Sequence, residues 1–248
     1  MYCREQEIGY AKGIYLRRGK ESPTQADSLV ASTWVGLPMQ IVFAFGGGVK
    51  CYRAAFEAGR VYEPGACPKC QGRGCLVRHG VYWRKPRDGE KVYPIPIQRW
   101  RCKGCRQTLS ALPDFVLRFR WYVVEVIHGV VSRREEEGAS WKQLQAQGGV
   151  GPQVRTMQRW CKSLGGEASR WLGAVQRQLA QQDSQSSWLD PQGEALRAGN
   201  PAQALLAAAV HLLAWGKSRW AELAGYGWNE RLHFLGLWGS REGLGRLV

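Results

Sequence analysis

Residues 67–105 read "CPKCQGRGCLVRHGVYWRKPRDGEKVYPIPIQRWRCKGC", opening and closing on a Cys-x-x-Cys pair. Such pairs serve as disulfide frameworks, redox centres or metal clamps. No charged, apolar and small-residue signal segment opens the chain, so a reducing, cytoplasmic compartment is the expectation and disulfides lose ground. A thioredoxin-like redox centre needs a βαβ unit beside one pair, and none is readable here. A zinc ion, by contrast, prefers four soft ligands in a tetrahedron, and two knuckles on one folded-back hairpin bring four thiolates to one point. Cys67, Cys70, Cys102 and Cys105 are therefore the expected Zn2+ ligands. With all four positions filled no water can bind the metal, so its expected role is structural. Cys3, Cys51, Cys75 and Cys161 are read as small apolar side chains, and His79 as a strand-surface residue.

The interval between the pairs has its own pattern. "LVRHGVYWRK" and "KVYPIPIQRWR" are rich in β-branched and aromatic residues and flank an Asp-Gly turn signal, which predicts an antiparallel hairpin. Pro94 and Pro96 cannot donate to a ladder, so the second strand should be an edge in its first half. "RQTLSAL" supplies a short third strand that "PDF" ends.

Outward from this hairpin the chain divides into five expected segments. Residues 1–38 carry no sustained period and read as a poorly structured leader, the composition shift at Met39 marking an alternative start. Residues 39–64 read as a strand and helix lead-in, 65–118 as the ribbon, 119–165 as three helices and 166–248 as a helical tail. In the third segment's successor, Val123, Val124, Ile127, Val130 and Val131 share a helical face. A short helix follows from Ser140 to Gln147, and a third starts with Pro152 in its first position and stops at Gly165 and Gly166. Helix, short helix, turn, helix is the helix-turn-helix plan. The fold class expected is α+β: a small antiparallel zinc ribbon, a trihelical domain and a helical C-terminal region.

Thirty-five Lys and Arg against twenty Asp and Glu give a net charge of +15, which points to a polyanionic partner. Residues 66–120 hold thirteen of these cations and three acids, so the excess surrounds the cysteines. The uncharged stretch from Ser28 to Val49 has the length of a membrane span but carries four glycines, a proline and several polar residues, so no membrane partner is expected. In the third helix Val154, Met157, Cys161 and Leu164 should face a core, with Trp160 at its border. The opposite face then offers Gln153, Arg155, Thr156, Arg159 and Lys162, side chains able to meet base edges and phosphates. Arg78, Arg84, Lys85, Arg87, Arg99, Arg101 and Lys103 of the ribbon are placed to follow a phosphate backbone.

Taken together, the knuckles, "LVRHGVYWR", the "LPDF" exit and "TMQRWCKSL" resemble the zinc-ribbon and helix-turn-helix front end of bacterial insertion-sequence transposases. They are also similar to a small uncharacterised bacterial family described as a domain of unknown function. The resemblance runs from Met39 to Leu164, with Gln71 standing where glycine is common and Cys75 where leucine is. It implies zinc on the four cysteines and DNA on the third helix. A transposase also needs three carboxylates gathered from distant strands, and the helical tail offers no such β pattern. The expectation is a non-enzymatic, zinc-dependent binder of double-stranded DNA, an accessory, regulatory or truncated transposase-like protein of a mobile element. A recombinase or transposase would be its protein partner, and the C-terminal helices its homo-oligomer surface. Two alternatives stand beside it: an RNA or single-strand binder stacking bases on Tyr82, Trp83, Tyr93 and Trp100, and an active transposase.

Overall fold

The computed structural model describes residues 39–146, 151–181 and 199–248. The expected leader, Gln147 and much of the turn before the third helix lie outside them. The chain runs β1 (Met39–Phe43), α1 (Val49–Glu57), β2 (Leu76–Arg84), β3 (Arg87–Asp88), β4 (Lys91–Val92), β5 (Ile95–Cys102) and β6 (Thr108–Pro113). Helices α2 (Val124–Glu135), α3 (Trp141–Ala146), α4 (Val154–Ala180), α5 (Pro201–Arg219) and α6 (Arg231–Arg241) complete it. The fold is therefore mixed α+β, a sheet followed by helices.

The hairpin forms as its residues dictate. β2 pairs antiparallel with β5 from Leu76↔Cys102 to Arg84↔Ile95, with a bulge between Arg78 and Val81. At its tip β3 and β4 pair around Gly89, whose φ of 59° is the left-handed conformation that the Asp-Gly signal anticipates. β6 pairs with β5 only at Arg99–Arg101, so the half of β5 that holds Pro96 has a partner on one side alone. α1 covers that open side, the Tyr52 hydroxyl donating to the Pro96 carbonyl at 2.9 Å.

One expectation is corrected in the sheet. It is four-stranded and mixed, in the order β1-β6-β5-β2, because β1 pairs in parallel with the whole of β6, Met39↔Leu109 to Phe43↔Pro113. An antiparallel ribbon alone would leave β6 an open edge; the apolar strand at Met39 fills it. The lead-in and the ribbon thus share one core, in which Phe43, Phe45 and Tyr52 meet Ile95, Ile97, Trp100 and Leu109.

The helices form a second, larger core. Val124, Ile127 and Val131 of α2 turn into it, and Val130 is half-buried beside them. Ser140 caps α3 through a reciprocal box, its hydroxyl accepting from the Gln143 N–H while the Gln143 side chain accepts from the Ser140 N–H. In α4, Gln153 is the N-cap, so Pro152 precedes the helix instead of opening it. The helix also continues through Gly165 and Gly166 for four further turns, and the boundary placed at 165 falls inside it. Both glycines are exposed, while Ala168, Trp171, Leu172, Val175 and Leu179 beyond them are buried. That burial outweighs a glycine cost of about 1 kcal/mol each. Trp160 is 2% exposed and lies within the core, whereas Cys161 and Val154 are at its border.

The tail packs onto the same core. Leu205, Leu206, Leu212 and Leu213 of α5 are buried within the chain. α6 closes on α4 where Gly239 meets Trp171; a Cβ on Gly239 would lie 2.1 Å from the indole. Arg231, fully buried, ties α6 to α2 by donating to His128 Nε2, the Ser132 hydroxyl and the Glu136 carboxylate. Burial, then the Arg231 charge, holds His128 neutral by lowering its pKa to about 4.

Asp114 of the "LPDF" exit pins β1 to β6. Its Oδ1 accepts from the Phe45 N–H at 3.3 Å, its Oδ2 is buried without a partner, and burial pushes its pKa up to about 7. A carboxyl whose folded pKa is raised contributes full stability below its unfolded value of 3.8 and loses it as pH rises through about 7. Asp114→Asn should therefore match the wild type near pH 4 and exceed it above pH 7, by a difference on the order of 4 kcal/mol at most. Denaturant melts of both proteins across that range check this. The opposite contribution of His128 is common to the pair and cancels.

Candidate metal centre

Each knuckle is built by its backbone. In the first, the Cys67 N–H donates to the Gly72 carbonyl and the Gln71 N–H to the Cys67 carbonyl, at 2.9 and 2.8 Å. In the second, the Cys102 N–H donates to the Gln107 carbonyl at 2.9 Å, repeating the same five-residue reach. The residue after each second cysteine is left-handed, Gln71 at φ 57° and Arg106 at φ 58°. This explains why glycine suits position 71; Gln71 offsets part of the strain by donating its side chain to the Pro68 carbonyl. The knuckles join where the Lys103 N–H donates to the Cys75 carbonyl at 2.8 Å.

This closure gathers the sulfurs of Cys67, Cys70, Cys102 and Cys105 within 4.8 Å of one another. Cys67 and Cys105 stand 3.6 Å apart, as do Cys70 and Cys102. A tetrahedron with metal–sulfur bonds of about 2.3 Å has edges of about 3.8 Å, so the cluster has the dimensions of a four-thiolate metal site. The ligands also differ in electrostatics. Burial pushes the Cys67 thiol up to about 12, whereas the Cys105 N–H, donating to the Cys102 sulfur at 3.4 Å, draws Cys102 down to about 6.

Cys75 is corrected from a buried hydrophobe to a neighbour of the cluster. It is half-exposed, its sulfur lies 3.3 Å from that of Cys102, and it donates to the Gly72 carbonyl at 3.0 Å. Spacing could not have found it, since its approach depends on the turn at Gly72.

The basic residues of the hairpin separate into two kinds. Lys85, Arg87, Arg99, Arg101 and Lys103 are exposed. Arg78 is exposed as well but pairs with Glu63 at 3.0 Å. Arg84 is engaged elsewhere: its guanidinium donates to the carbonyls of Leu117 and Arg120 at 3.1 and 2.6 Å and holds the segment leading to α2. On α4, Gln153, Arg155, Arg159 and Lys162 are exposed and Thr156 is half-buried. The aromatic quartet does not assemble into a stacking platform: Trp100 is 4% exposed, Tyr82 and Tyr93 pack on the sheet core, and Trp83 stands out alone.

The hairpin, α2, α3 and the start of α4 form one stretch of chain with a four-cysteine cluster at its head. Residues 67–160 match the family model of a domain of unknown function, DUF6431. No curated protein and no solved structure matches the chain. The matched stretch begins on Cys67 of the cysteine cluster and ends on Trp160, the buried residue that anchors the first turns of α4. Among the described residues no helix is long and apolar enough to cross a membrane.

Changing Cys67, Cys70, Cys102 or Cys105 to Ser should abolish stoichiometric metal on elemental analysis and lower the melting temperature, whereas Cys75→Ser should keep both. Chelation should raise solvent access at Trp100 in the sheet while far-ultraviolet ellipticity from the helices persists. Metal retained by Cys102→Ser would overturn the assignment.

Proposed function

We propose that this chain is a zinc-dependent protein that binds double-stranded DNA through α4. The observation that carries the reading is the division of that helix. Met157, Trp160 and Leu164 are locked in the core, and Gln153, Arg155, Arg159 and Lys162 stand free on the other side, with Thr156 between them. Arg155 and Arg159 lie one turn apart, the arrangement with which a helix meets successive base edges in the major groove. α2 and α3 precede α4 in the order of a helix-turn-helix, which favours this docking over a solvated basic face.

Zinc is the metal we assign, because four thiolates and no oxygen donor suit a closed structural zinc site. The metal builds the hairpin, and the exposed Lys85, Arg99, Arg101 and Lys103 hold phosphates beside the reading helix. We further read the protein as non-catalytic, an accessory or regulator of a mobile element's recombinase.

Binding selection on randomised duplexes, followed by salt titration, tests the roles. Arg159→Ala should cost about 1 to 3 kcal/mol on the preferred site and relax base preference there. Lys103→Ala should weaken all duplexes alike and lower the salt slope by about one. Unchanged base preference in Arg159→Ala, with its loss in Lys103→Ala, would make the hairpin the reader instead.

A further inference from the structure

The segment Leu117–Tyr122, between β6 and α2, is fixed from three directions. Arg84 holds its carbonyls at Leu117 and Arg120, Arg118 donates to the Gln40 carbonyl at 2.9 Å, and the Arg87 N–H donates to the Trp121 carbonyl at 2.6 Å. What this fixed loop presents is unusual for a folding element. Phe119 is 65% exposed with a left-handed φ of 57°, and Trp121 is 70% exposed. A bulky residue in that conformation is strained, and an exposed ring gains nothing from burial, so neither feature serves the stability of the chain.

Beside the loop lies a surface cleft of about 640 Å³, bounded also by α4 and the segment after α6. Arg118, Phe119, Lys162, Glu167, Arg170 and Arg246 line it. Four cations face one carboxylate, and that carboxylate is bonded to Arg170 at 3.0 Å, which leaves Arg118, Lys162 and Arg246 without an acidic partner in the cleft. In the same loop the Nε of Arg120 is buried with no hydrogen-bond partner. Burial first, and then the charge of Arg246, disfavours the protonated form of Arg120. An anion in the cleft would relieve this crowding.

Cations spaced along a cleft with an exposed ring at its wall match a strand that carries both phosphates and free base faces. Within a duplex the base faces are stacked on one another, so Phe119 meets one at least cost where the stack ends or opens. We infer that this cleft binds an unpaired strand of nucleic acid, phosphates on Arg118, Lys162 and Arg246 and a base stacked on Phe119. The inference goes beyond duplex binding by α4 and rests on different residues, sharing only Lys162, which links the two surfaces. The DNA it fits is a duplex that ends in, or opens into, a single-stranded extension.

Fluorescence anisotropy would compare a blunt duplex bearing the selected site, the same duplex with a short unpaired extension, and the unpaired strand alone. The extension should tighten binding about tenfold. Phe119→Ala should remove that gain and leave the blunt duplex unaffected, and Phe119→Trp should keep it. Phe119→Gly, which relieves the left-handed strain, should behave as Phe119→Ala and so separates stacking from folding. An extension that adds nothing, or a gain that survives both Phe119→Ala and Phe119→Gly, overturns the inference. Loss of the duplex reading looks different: blunt-duplex binding would be absent or indifferent to Arg159→Ala, while the unpaired strand still bound in a Phe119-dependent manner.

Discussion

Four thiolates within 4.8 Å of one another repel as anions and offer only weak hydrogen bonds as thiols, so their convergence is a demand for a cation. That convergence bears directly on the hairpin. It fixes the start of β2 against the end of β5, Leu76 opposite Cys102, and from there the ladder runs to Arg84 opposite Ile95. At about 3.3 Å per residue the hairpin carries this constraint roughly 25 Å from the sulfurs. There Arg84 grips the segment that enters α2. The hairpin is thus a strut between the metal knot and the helices, and a cation that the composition counts as surface charge is one of its fastenings.

The two cores meet along α2. Val123 closes the sheet core and the next residue, Val124, opens the helical one, while Val126 packs against both. Val42 and Ala44, from the parallel strand, also reach the helices. Because the helical core is the larger and includes α4, α5 and α6, a metal held by the four cysteines would act mainly on the sheet and on the orientation of the loop before α2. The exposed side of α4, with Gln153, Arg155, Arg159 and Lys162, is backed by this helical core, whereas the hairpin cations are carried by the sheet.

Much of this was legible in local pattern. The knuckles, the Asp-Gly turn at Gly89, the half-open edge at Pro96 and most of the α2 face depend on neighbours in sequence and took the expected form, although Val123, expected on that face, is the N-cap of α2 and packs in the sheet core. What escaped depends on neighbours in space. The run at Met39 announces a strand without naming β6 as its parallel partner. Gly165 and Gly166 look like a stop until the buried Trp171, Leu172 and Val175 beyond them are seen to face the same core. Cys75 reads as one more apolar position until the turn at Gly72 folds its sulfur against Cys102.

The distribution of strain completes the argument. Three non-glycine residues are left-handed among those described, and two of them, Gln71 and Arg106, close the knuckles. Their cost is explained by the geometry that each Cys-x-x-Cys turn imposes before its chain can leave the metal. Phe119 has no such excuse. It lies at the far end of the strut, in a loop held by Arg84, Arg118 and Arg87, and its ring points away from both cores. Strain persists only where surrounding contacts enforce it. Here the enforcing contacts come from Arg84 and Arg87 of the hairpin and from the Arg118 bond to β1, so the four-cysteine knot and the exposed ring stand at two ends of one framework.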